Sequence, residues 1–263
     1  MKSIATAALA ALLLTSPVFS DWQPGDPHKM HCPQLPDLTQ TGIDIDLANG
    51  WLADDFMCTE TGPILDIHIW GSFANDILPV NGIDWMCFHV SIHSDVPADD
   101  PTNPYGYSVP GELLWETDFC GPEHGPQNGF TWNLYAGDID EWFWDPATGA
   151  VANDHECYQY NLYINEDEAF EQQEGTIYWL DVDAFAVCDD ATFGWKTSLD
   201  HWNDDAVFYD DAGGPNAEPQ ELRYPDWHPF HPESIDMAFV ITPEPATLTI
   251  LAIGAVAFVR RRR

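Results

Sequence analysis

Two stretches, PILDIHIW (residues 63–70) and MCFHVSIH (residues 86–93), decide the fold class. In the first, Leu65, Ile67 and Ile69 alternate with Asp66, His68 and Trp70. In the second, Phe88, Val90 and Ile92 alternate with Cys87, His89, Ser91 and His93. A period of two puts one set of side chains on each face of an extended chain, so both stretches read as half-buried β-strands. Further candidates are GELLWETDF (111–119), FTWNLY (130–135), CYQYNLYI (157–164), GTIYWLDVDAF (175–185), AVFYD (206–210) and SIDMAFVI (234–241). Turn formers separate them, in VPADDPTNP (96–104), GPEHGPQNG (121–129) and DDAGGPNAEP (210–219). Many strands with Pro- and Gly-rich joints predict an all-β body, a β-sandwich or jelly roll. Only NEDEAFEQQ (165–173) reads as a short helix, with Asn165 as cap and Glu168 as its box partner.

Charge narrows the partners. The 263 residues include 44 acidic and 8 basic side chains. Between residues 21 and 242 only Lys29, Lys196 and Arg223 are basic, against 43 acids, a formal charge of −40. Such a surface repels nucleic acid and anionic lipid and attracts divalent cations. The densest acidic run, DHWNDDAVFYDDAGG, supplies Asp200, Asp204, Asp205, Asp210 and Asp211 as candidate Ca²⁺ ligands, because carboxylate oxygens suit that ion. The spacing is not that of an EF-hand: after Asp44 and Asp46 the glycine comes one place late and the distal glutamate is missing. His68 with His89 or His93 and Asp66 would make a transition-metal site if their strands paired. His89 and His93 themselves stand about 13 Å apart on one strand. His228 and His231 fall in a Pro-rich loop.

Motifs of catalysis are missing: there is no GxSxG, HExxH, Walker or dinucleotide glycine pattern. Carboxylate pairs of the glycosidase kind arise by chance among so many acids. In DEWFWDP (140–146), Trp142 and Trp144 flank Phe143 among acids and are candidate sugar-stacking residues. Lys196 is expected to pair with a carboxylate, Asp200 or an acid across the sheet. Cys32, Cys58, Cys87, Cys120, Cys157 and Cys188 all lie in the body, an even number that predicts two or three disulfides in an oxidising compartment, with Cys87 a candidate buried thiol.

The two ends supply that compartment. Lys2 precedes an apolar run from Ile4 to Leu14, and Val18-Phe19-Ser20 suits signal peptidase, so residues 1–20 read as a secretory signal cut before Asp21. At the other end, Pro243-Glu244-Pro245 is followed by fourteen uncharged residues, 246–259, and then by Arg260, Arg261, Arg262 and Arg263. As a helix the uncharged segment spans about 21 Å, short for a bilayer core of about 30 Å. It crosses by thinning the bilayer and letting Arg260 snorkel, and the arginines stay in the cytoplasm. These three parts in this order resemble the PEP-CTERM sorting signal of bacterial surface proteins. The resemblance implies an exosortase that cuts near the motif, and a host of Gram-negative type that often makes exopolysaccharide.

The body, residues 21–242, also resembles a recurrent domain of secreted proteins from planctomycete-type bacteria, through LADDFMCTETGPILDIHIWGSF, SIHSD, PGELLW, YWLDV, FGWKTSLDHWNDDAVF and SIDMAFVI. That resemblance implies a surface β-domain and assigns no catalytic residue. The expectation is a chain of three parts: signal peptide 1–20, acidic β-body 21–242 and sorting segment 243–263 with a short membrane helix. Its role is that of a non-catalytic surface or matrix protein, sorted through its tail. The alternatives are a calcium-assisted carbohydrate-binding module and a secreted glycoside hydrolase.

Overall fold

A computed structural model describes residues 21–121, 129–187 and 191–243. The proposed signal peptide, Cys188, Glu244, Pro245 and the tail through Arg260–Arg263 lie outside the described residues.

The chain runs through β1 (Ile43–Asp46), β2 (Gly50–Met57), β3 (Gly62–Ile64), β4 (Asp66–Phe73), β5 (Met86–Val96), β6 (Val109–Cys120), β7 (Phe130–Trp144) and β8 (Val151–Tyr163). It continues through β9 (Phe170–Gln172), β10 (Ile177–Ala186), β11 (Phe193–Ser198), β12 (Val207–Asp210), β13 (Gln220–Glu221), β14 (Asp236–Met237) and β15 (Phe239–Ile241). The β class expected from period-two patterning is therefore what the chain adopts.

One sheet has the order β14-β11-β1-β7-β8-β4-β15, and an added β11–β4 pairing closes five of its strands into a ring, β11-β1-β7-β8-β4. A second sheet, β13-β12-β2-β10-β5-β6, stays open. The β1–β7 pairing is parallel; the others in the ring are antiparallel. Ring closure removes the free edges that a strand pair would otherwise offer to another chain.

The two sheets meet through aromatic side chains. Phe88 of β5 lies 5.3 Å from Phe130 of β7, 5.0 Å from Tyr160 of β8 and 5.3 Å from Phe193 of β11, all edge-on. Phe56 of β2 meets Phe239 of β15 at 6.1 Å. Val90, Ile92, Leu180 and Val182 complete the inner face of the open sheet, fully buried. Each buried aliphatic or aromatic side chain of this kind contributes about 1.5–3 kcal/mol.

Two local readings change. β4 is buried along both faces, Asp66, His68 and Trp70 included, because the N-terminal segment lies over its polar side. Trp22 sits 6.2 Å from Trp70, Gln159 donates to the Trp22 carbonyl, and Asn161 donates to Asp21. Residues 165–173 form no helix: Glu168 N–H donates to the Asn165 carbonyl in a single turn, and the chain then enters β9, which pairs with β3. The local cap signal is genuine, but the next turn is overridden by the strand partner. Among the described residues no helix is long and apolar enough to cross a membrane.

Candidate functional site

The open sheet turns one face to the core and the other outward. Alternation in β10 sends Leu180 and Val182 inward and Asp181 and Asp183 outward, while β5 presents His89, Ser91 and His93 beside them. Register places Asp181 opposite Ser91 and Asp183 opposite His89, and Ser91 opposite Glu116 of β6, so acids and hydrogen-bonding groups form rows across the strands. With Trp51 and Leu113 they line a groove of about 290 Å³.

Trp51 of β2 is the aromatic side chain of the groove wall. Tyr209 of β12 backs it, the two rings stacked with centroids 4.9 Å apart and planes 5° from parallel. The floor is polar: His93 Nε2 is 3.1 Å from Ser91 Oγ and 3.4 Å from Asp181 Oδ2, while His93 Nδ1 meets the Gly111 carbonyl at 3.1 Å. His89 Nδ1 contacts Asp118 at 2.8 Å. Asp181 Oδ1 is buried with no hydrogen-bond partner. Burial pushes the Asp181 carboxyl well above the usual carboxylate range, and burial raises Asp183 as well. Asp181 Oδ2 faces the His93 ring across the groove floor, and its Oδ1 is left open to a ligand. An aromatic wall beside mixed donors and acceptors is suited to the apolar face and hydroxyls of a sugar ring.

The residues singled out in the sequence fall elsewhere. Asp204 accepts from Ser108 Oγ, and Asp200 accepts from the Leu35 N–H. Asp210 accepts from the Ala212 N–H at the far end of β12, where it pairs with Gly50 while Val207 pairs with Ala53. Asp211 borders a different hollow beside Asp183 and Phe185. The five aspartates thus do not converge on one point. Asp205 does approach His201 and Asp236, with ligand atoms within 4.8 Å of one another, but a histidine suits a transition metal better than Ca²⁺.

Trp142 and Trp144 are half-buried. Trp142 abuts Trp227 at 5.0 Å and His228 at 5.1 Å, both edge-on. That is a packed aromatic corner and not a flat platform. His68 does not meet His89 or His93, because β4 and β5 lie in different sheets. It contacts Asp66 at 3.1 Å and Asn161 Oδ1 at 2.5 Å.

Cys87 is not a free thiol: it is bonded to Cys120, its direct partner across β5 and β6. Cys32, Cys58 and Cys157 are thiols, so the described residues hold one disulfide where two or three were expected. Cys58 and Cys157 are fully buried, and a buried thiol packs as a small apolar group.

Lys196 pairs with an acid across the sheet, and not with Asp200. It lies in β11 directly opposite Asp44 of β1, its Nζ 2.8 Å from Asp44 Oδ2 and in contact with Glu141 Oε2 of β7. Asp154 of β8 brings a third carboxyl, and one oxygen from each of the three lies within 4.8 Å of the others. Ser72 of β4 adjoins them. Each of the five ring strands thus contributes one buried polar side chain. Burial raises Asp44, pushes Glu141 up to about 7 against the pull of Lys196, and pushes Asp154, which also feels Asp44, up to about 9.

Fold and ends together define a class, that of the exported, acidic, all-β surface proteins. Residues 242–263 match the PEP-CTERM protein-sorting motif, which marks the protein for exosortase-mediated sorting to the cell surface or extracellular matrix. The chain belongs to the family described as Domain of unknown function (DUF7901), whose match covers residues 30–242 and so nearly the whole folded body. No curated protein and no solved structure matches it.

Proposed function

We propose that the mature body is a non-catalytic surface or matrix module that holds neutral polysaccharide in the groove of its open sheet, the exopolysaccharide of its own host being the natural ligand. Trp51, held by its stack on Tyr209 and lining the groove beside Ser91, His93 and Asp181, carries this reading. The charge of the body argues for neutral over uronate-rich chains, which it would repel. Signal peptidase removes residues 1–20, and the exosortase acts at Pro243–Pro245. The body itself reads as a two-layer β-sandwich in which one layer has closed on itself; Tyr107 and Tyr209 cover Ala53, Trp179 and Val207 on the outer face of the open sheet, and the stretch from Trp51 to Glu116 is left as the groove.

Affinity electrophoresis of the mature protein in gels cast with host exopolysaccharide or neutral glucans tests the reading. Retardation is expected, and Trp51→Ala should weaken it by about tenfold or more, the loss typical of a central aromatic contact. Equal mobility with and without glycan ends the proposal. Release of reducing ends during incubation would instead turn Asp181 into the acid of a glycosidase.

A further inference from the structure

The interior of the five-stranded ring holds more reactive chemistry than a structural ion pair requires. Three carboxyls and one ammonium occupy a site without solvent: Asp44, Asp154 and Lys196 are fully buried, and Glu141 is 2% exposed. Asp44 Oδ1, Glu141 Oε1 and both oxygens of Asp154 make no hydrogen bond of good geometry, Ser72 and the neighbouring carboxyls being their polar company. Three negative charges against one positive cannot persist in so dry a place. The site therefore keeps neutral carboxylic acid beside a lysine nitrogen already in contact with two carboxyl groups.

We propose that Lys196 and Asp44 condense into an intramolecular amide, joining β11 to β1 and locking the ring covalently, with Glu141 as the proton relay. The geometry is favourable. The two residues face each other in register on adjacent strands, Nζ stands 2.8 Å from Asp44 Oδ2, and Glu141 Oε2 touches the same nitrogen. Reactants held in this way react as if at an effective concentration of about 10⁵ M or more.

The step balances within the site. The Lys196 ammonium gives a proton to the Glu141 carboxylate. The freed nitrogen lone pair attacks Cγ of protonated Asp44, and the carbonyl electron pair moves onto oxygen. Glu141 then returns its proton to the departing hydroxyl, which leaves as water as the C–O bond breaks, and takes the remaining excess proton from nitrogen. Ammonium, carboxylate and carboxylic acid become amide, water and carboxylic acid. Total charge stays at zero, and neither oxidant nor cofactor is needed.

Titration fits these roles. Glu141, at about 7, both takes and gives a proton near neutrality, and Asp44 is raised by burial and so is available as the neutral acid. Burial pulls the Lys196 ammonium down, but the negative charge shared between the neighbouring Asp44 and Glu141 carboxyls more than offsets it, so it binds its proton tightly. The transfer to Glu141 is thus the slow step, acceptable for a reaction that each molecule performs once. For an exported protein the product is a crosslink that reductants cannot open, unlike Cys87–Cys120.

Mass spectrometry of the full-length protein, reduced and denatured, tests this. The wild type is expected to be lighter than its sequence by one water molecule, and proteolysis should yield a branched peptide pair joined through Lys196 and Asp44. Glu141→Gln, which keeps the shape and removes the relay, and Lys196→Arg, which keeps the charge and removes the nucleophile, should both show the full mass. Circular dichroism and retained Cys87–Cys120 oxidation would report that they still fold. Asp44→Asn, if it reacts, should lose ammonia in place of water. A wild-type chain of full mass after prolonged incubation at neutral pH overturns the proposal whether or not the variants fold. A branch at Glu141 overturns the assignment of Asp44.

Discussion

Asp55 offers a quantitative handle on how this acidic body tolerates its own carboxyls. It lies in β2, fully buried. Its Oδ2 accepts from Asn203 Nδ2 at 2.5 Å, and its Oδ1 has no partner. Burial is the chief cause of a pKa pushed up to about 9, with the charges of Asp204, Asp236 and Asp95 adding to it. In the unfolded chain an aspartate ionises near pH 4. Between these values the folded state holds a proton that the unfolded state has lost, so stability falls as pH rises, by about 1.4 kcal/mol per pH unit. From pH 5 to pH 8 this one group accounts for at most about 4 kcal/mol.

Asp55→Asn carries no proton to release. Its amide oxygen can still accept from Asn203, and its NH₂ can donate to the neighbouring acids. Urea unfolding followed by tryptophan fluorescence should find the variant close to wild type at pH 5 and the more stable of the two at pH 8, by up to about 4 kcal/mol. Parallel pH profiles for the two proteins, or a wild type more stable at pH 8 than at pH 5, would refute the reasoning. Asp46, raised by burial to about 6, acts in the same direction over a narrower window, losing its contribution as pH passes 6.

Other expectations follow from packing and charge. Phe88→Ala empties the centre of the contact between the sheets and should cost about 3–5 kcal/mol in the same urea assay. Replacing both Cys87 and Cys120 by Ser opens a crosslink between residues 33 apart, which chain entropy values at about 3–4 kcal/mol. Because the five aspartates of residues 200–211 do not converge, Ca²⁺ and Mg²⁺ should raise Tm equally at matched concentration, as counterions; a shift specific to Ca²⁺ would show a built site.

Much of the architecture was legible in the alternation of β4, β5 and β10, because a period of two survives any tertiary arrangement. What alternation cannot carry is which strands become neighbours. The ring closes through a β11–β4 pairing between residues more than a hundred positions apart in sequence, and nothing in FGWKTS or DIHIWGSF announces it. The same limit hid the groove. Asp181 and Asp183 were visible as an i, i+2 polar pair within the apolar strand YWLDVDAF, a usable sign of an outward face, but Trp51 and Tyr209 meet only because β12 pairs with β2. Trp142 and Trp144 drew notice through local density, and density does not distinguish a packed corner from a platform. Lys196 was expected to find a carboxylate because cations are so scarce here; that it faces two, inside a closed ring, depended on register.

The most direct test of the account is the intact mass of this protein recovered from the surface and matrix of its own host. Delivery through both termini predicts an extracellular chain that begins at Asp21, ends near Pro243 and lacks Arg260–Arg263. A full-length chain from Met1 to Arg263, confined to the cytoplasm, would contradict it.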